Sequence, residues 1–115
     1  MKFYSEDKMK QIREEFEDEI LQHPHLSTNK MFGCPCYKAD EKLFAILVTD
    51  SVVLTRLSED EQVDAYNAPG AKSFESDQRM MKKWVQLPIK DKASLEKVMP
   101  WVMKSYQNAL ALRSK

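Results

Sequence analysis

The run "KLFAILVT", residues 42–49, is apolar at every position from Leu43 to Val48. A strand with one face in water alternates apolar and polar residues, because successive side chains point to opposite faces. A run without alternation predicts a strand covered on both faces, which is the centre of a sheet. With 115 residues the chain has room for one domain, spanning residues 1–115, so both covers must come from one small set of elements. A chain of this size buries roughly 65% of its unfolded surface, enough to fold without disulfide or metal staples.

The neighbouring runs fit that centre. "KMFGCPCYK" precedes it and "SVVLTRL" follows it, separated by "ADE" and "TDS", the spacing of a three-stranded antiparallel meander. Pro35 has no amide to give to a ladder, which predicts an edge or a bulge for the first of these strands. Upstream, Met9, Ile12, Phe16 and Ile20 recur at steps of three and four and predict a helix from Ser5 to about Gln22, stopped by Pro24. "HPHLSTN" then reads as a connecting loop. Downstream, Ser58 and Glu61 have capping-box spacing, and Pro69-Gly70 ends the short helix they open. "AKSFES" and "KKWVQLP" read as two further strands joined by the charged "DQRMMK". The last segment carries the helical stripe Leu95, Val98, Met99, Val102, Met103, Tyr106, Ala109 and Leu110. Pro100 lies inside it and, at about 3 kcal/mol in a helix interior, predicts a kink or restart near Met99. The expected class is α+β, in the order α-β(3)-α-β(2)-α, with one antiparallel sheet packed against helices.

Charge and termini narrow the function. Eighteen basic and eighteen acidic residues give a formal net charge of zero, which removes the whole-molecule field of a nonspecific nucleic-acid binder. Nucleic acid is then a partner only through a local patch. The opening "MKFYSEDKMK" has no apolar signal region and no later stretch approaches a membrane span, so the expectation is a cytoplasmic protein without membrane contact. In that compartment Cys34 and Cys36 are expected as reduced thiols.

Several landmarks stand in a telling order: Met31-Phe32-Gly33, then Pro69-Gly70-Ala71 with Phe74, then Trp84-Val85 with Leu87-Pro88, then a final helix containing "PWVMKSYQNAL". From about Lys30 to Leu112 this resembles the N-terminal domain of the TfoX/Sxy proteins. The resemblance implies a secretion-chaperone-like sheet-and-helix domain, agreeing with the element order read from the residues. It also implies kinship with regulators of competence for DNA uptake, whose full-length members carry a second, helical C-terminal domain. The chain reads as a stand-alone version of the first domain.

Three groups of residues are candidates for a site. Cys34 and Cys36 sit one residue apart, shortly after "HPH" at 23–25. On a strand, residues two apart have Cα atoms about 6.6 to 6.8 Å from each other, at the far limit for a disulfide. C-x-C with H-x-H also misses the usual zinc spacings. The bland reading, strand thiols in a core, leads over a thiol or metal sensor at this pair. The second group is Arg79, Lys82 and Lys83 beside Trp84, with Arg56 and Lys72 as further cations, a set that suits a small anion, a nucleotide or a single strand through charge and stacking. Its bland reading is a solvated hairpin with Trp84 as a packing residue. The third is Met80 and Met81, which suit a partner surface, whereas Met99 and Met103 lie on the core stripe.

No phosphate-cradling glycine loop and no nucleophile-elbow context is present in the sequence. The expectation is therefore no catalytic residue, no cofactor and no metal. The leading reading is a non-enzymatic regulatory or protein-interaction domain, acting through a protein partner or self-association.

Overall fold

A computed structural model of the chain describes residues 4–31, 33–76 and 79–111, with the backbone alone over 74–76 and 79–83. Its elements are α1 (Glu6–Ile20), β1 (Leu26–Met31), β2 (Cys34–Ala39), β3 (Lys42–Val48), β4 (Ser51–Leu54), α2 (Glu59–Tyr66), β5 (Lys72–Ser76), β6 (Arg79–Pro88) and α3 (Lys92–Ala111). All strand pairs are antiparallel, in the order β1-β2-β3-β4-β6-β5. The class is α+β, as the residues imply. The unbroken apolar run is β3, one of the two central strands.

Its two faces serve two clusters. Ala45 and Leu47 join Tyr37, Val52, Leu54, Val85 and Leu87 on the helix side, where α1 contributes Met9, Ile12, Phe16 and Ile20, and α3 contributes Leu95, Val98, Val102, Tyr106 and Ala109. Ile46 and Val48 point the other way and join Cys34, Cys36 and Val53. A continuous apolar strand is thus required by a sheet that buries both surfaces. A register shift between Tyr37 and Lys38 adds Phe44 to the helix side, where its ring meets Tyr106 edge-on at 5.5 Å.

Four expectations need correction. The run before the helix α2 has four strands, because "LSTNKM" pairs with β2 in an uninterrupted register from Leu26↔Ala39 to Met31↔Cys34. Its polar side chains hid it: Ser27 to Lys30 are all exposed. The Pro35 strand is accordingly second in the sheet. Proline is tolerated there because the β2–β3 register ends at Cys36↔Ile46, one residue short of it, and the facing Lys30 amide donates to Asn29 Oδ1 at 2.8 Å. The charged segment from Arg79 is strand β6, whereas Asp77 and Gln78 lie outside the described residues. Finally, α3 runs through Pro100 without a break. Pro100 is exposed, as is Glu96, the residue whose carbonyl loses its helical partner, so water can replace that bond.

The helix ends follow local chemistry. Ser58 Oγ accepts the Glu61 amide at 3.2 Å while Glu61 Oε1 accepts the Ser58 amide at 2.9 Å, completing the capping box. Asp91 Oδ1 accepts the Ser94 amide at 2.9 Å at the start of α3. Gly70 has φ +79°, and a Cβ there would stand 2.9 Å from Pro88 Cγ. Two landmarks distant in sequence therefore touch, and packing explains why glycine and proline stand at those positions.

Candidate functional site

Each candidate group has a definite place. Cys34 and Cys36 are both 1% exposed on β2, on the sheet face away from the helices, and neither is in a disulfide. Burial, then the neighbouring Cys36, pushes the Cys34 thiol up to about 11. Burial also raises Cys36, against opposing effects of Lys38 and the Asn29 backbone. Both shifts run opposite to the depressed thiol of a redox sensor. His25 is joined to the far end of the β1–β2 hairpin, its carbonyl accepting the Asp40 amide at 2.8 Å. The six residues of β1 separate it from Cys34, roughly 20 Å at strand rise, so the histidines and cysteines do not form one ligand set.

Trp84 is half-buried and packs against the Cys34–Val53 cluster, as a folding role requires. Arg79, Lys82 and Lys83 are placed on β6 by their backbone, and their side chains lie outside the described residues, as do those of Met80 and Met81. The β5–β6 register jumps between Ser73↔Val85 and Phe74↔Met81, so Lys82 to Trp84 fall in an irregular stretch. Phe32 also lies outside the described residues.

Arg56 is built into the frame. Its amide donates to Ser105 Oγ at 3.1 Å, its carbonyl accepts Asn108 Nδ2 at 2.7 Å, and its Nε donates to the Leu43 carbonyl at 3.1 Å. Ser105, fully buried, passes the connection on by donating to the Phe44 carbonyl at 2.7 Å. Sequence reasoning missed Ser105 and Asn108. A polar residue breaking the apolar stripe of α3 is the only signal either leaves.

A second polar chain links the core to the surface. Tyr37 Oη donates to Glu17 Oε2 at 2.8 Å, Arg13 bridges Glu17 at 3.0 Å to Glu6 at 2.8 Å, and Tyr4 Oη donates to Glu6. The Arg13 guanidinium, then the Tyr4 hydroxyl, hold the Glu6 carboxyl down at about 2. Among the described residues no three His, Cys, Asp or Glu side chains converge as a metal set, and no helix is long and apolar enough to cross a membrane.

The remaining feature is the edge of the sheet. β1 ends the sheet on one side, and Ser27 to Lys30 are exposed although they alternate between its two faces. Because the Lys30 amide turns to Asn29, it faces away from β2, and the two-residue period aims the Thr28 amide the same way. The fold thus defines an α+β domain with three helices on one face of a six-stranded sheet and an open strand at its margin. Compared with known proteins, the chain matches no protein-family model, no curated protein and no solved structure.

Proposed function

We propose that this chain is a non-enzymatic interaction domain that pairs with a second copy of itself along the open edge of β1. The observation that carries the proposal is the regular six-residue edge, exposed from Ser27 to Lys30 and without proline or bulge. Although the Lys30 amide is taken up by Asn29 Oδ1, such an edge offers its other outward backbone groups, the Thr28 amide among them, to another strand unless it is guarded. The opposite edge, β5, has an interrupted register that guards it. Antiparallel pairing centred on Thr28 sets Lys30, the one charged residue of β1, across from Leu26 of the second copy. Like charges then stay apart.

The displaced carboxyls support the non-enzymatic reading, because each has a structural use: Glu6 bridges to Arg13, Glu61 caps α2 and Asp91 caps α3. A regulatory role like that implied by the TfoX/Sxy resemblance belongs to the same proposal, and its support is the order of the landmarks.

The test is mass measurement in solution, by light scattering or native mass spectrometry. Thr28→Pro removes an outward amide and leaves the bonds between β1 and β2 in place. A dimer in the wild type that becomes a monomer in Thr28→Pro is the expected result. A wild type that stays monomeric at about 100 μM overturns the proposal.

A further inference from the structure

The second face of the sheet carries three sulfur-bearing side chains in one cluster. Met31 is the cross-strand partner of Cys34, so the two side chains leave the same face. Cys36 is two residues further along β2 and shares that face. All three belong to one apolar cluster with Ile46, Val48, Val53, Tyr4, Leu43 and Trp84, and among the described residues no His, Asp or Glu joins Cys34 and Cys36 as a third ligand. The thiols are 1% exposed, and Met31 is only partly buried.

The geometry points to a site for one Cu(I) ion held by the thiolates of Cys34 and Cys36 and the thioether of Met31. Thiolate and thioether sulfurs are soft donors and select Cu(I) over the hard cations that seek oxygen. Structural zinc takes four ligands in a tetrahedron, and among the described residues this cluster supplies three sulfur donors. Met31, at the rim, is the ligand an arriving ion meets first. Each copper–thiolate bond releases one proton to solvent and the thioether bond releases none. Copper stays Cu(I), so the step consumes neither oxidant nor reductant. Trp84 packs in the same cluster and reports occupancy through its fluorescence. Met31 is the last residue of β1, but the site uses its side chain and the proposed pairing uses the backbone edge, so the two stand independently.

The experiment is anaerobic titration of the reduced chain with Cu(I) in competition with bicinchoninate, followed by chelator colour and tryptophan emission. The expected result is one Cu(I) withdrawn per chain, with quenching that Trp84→Phe diminishes and no equal uptake of Zn(II). The Cys34→Ser, Cys36→Ser double variant loses the uptake. Met31→Leu, which keeps the side-chain volume, weakens it by about tenfold or more, as loss of one of three ligands requires. Copper left wholly on the chelator overturns the inference. So does equal uptake by the double variant, or Zn(II) bound as tightly as Cu(I). If the double variant fails to fold by circular dichroism, Met31→Leu decides, and unchanged affinity there overturns the site.

Discussion

At the scale of single residues, the two glycines separate backbone freedom from packing. Gly33 and Gly70 have nearly the same positive φ, +76° and +79°, but a Cβ on Gly33 meets nothing within 4 Å whereas one on Gly70 meets Pro88 Cγ at 2.9 Å. Alanine at either position carries the left-handed penalty, and only at Gly70 must the β6 end also shift. Gly33→Ala should cost about 1 kcal/mol and Gly70→Ala about 2 to 3 kcal/mol, read from urea denaturation midpoints. Equal losses would show that Pro88 yields without cost. Ser105 teaches the converse lesson. Serine in a helix stripe suggests a solvated position, yet the Phe44 carbonyl and the Arg56 amide, both distant in sequence, make it a buried connector.

At the scale of elements, the β2–β3 connection was legible as a short break at "ADE", one residue longer than the Asp40-Glu41 turn that forms it, and not in type. Asp40 and Glu41 both have positive φ, 51° and 69°, the conformation of a tight hairpin whose preferred second residue is glycine. Glu41→Gly should therefore stabilise the chain by about 0.5 to 1 kcal/mol, the relieved strain outweighing the added freedom of the unfolded chain. Thermal denaturation checks this, and a lower midpoint would mean that the turn is not strained. The stripe of α1 and the capping box of α2 were legible because both ends of each pattern lie within one or two turns of sequence. β1 was not, because nothing in "LSTNKM" signals a strand until β2 supplies its partner.

At the scale of the whole molecule, stability against acid reports the surface carboxyls that tie α1, α2 and α3 into place. Glu6 falls from an ordinary 4.5 to about 2 in the folded chain, so folding favours its ionised form. Asp91 is lowered by its backbone and side-chain bonds with Ser94. Glu61 is lowered although burial opposes it, because Ser58 and Asn108 bond its charged form. A lowered carboxyl contributes stability that is complete above the unfolded value and is lost as pH falls through the folded one. Unfolding midpoints should accordingly decline as pH falls from 4.5 toward 2, and Glu6→Gln should flatten that decline. A Glu6→Gln profile parallel to the wild type would show that the Arg13 bridge adds nothing, as many exposed ion pairs do.

The sequence alone determined the central strand, the helix stripes, the α2 cap and hence the α+β class. Each of those is a periodicity or a spacing carried by neighbouring residues, and burial of an apolar pattern leaves little choice of partner face. Only the tertiary structure decided which strand is the edge, that β6 begins as early as Arg79, that Arg56 is held by Ser105 and Asn108, and that Met31 faces the same way as Cys34 and Cys36. Those features arise from register between separate strands and from hydrogen bonds across the fold. A single step of register turns every side chain of a strand to the opposite face, so the sulfur cluster and the open edge exist only once the strands have paired.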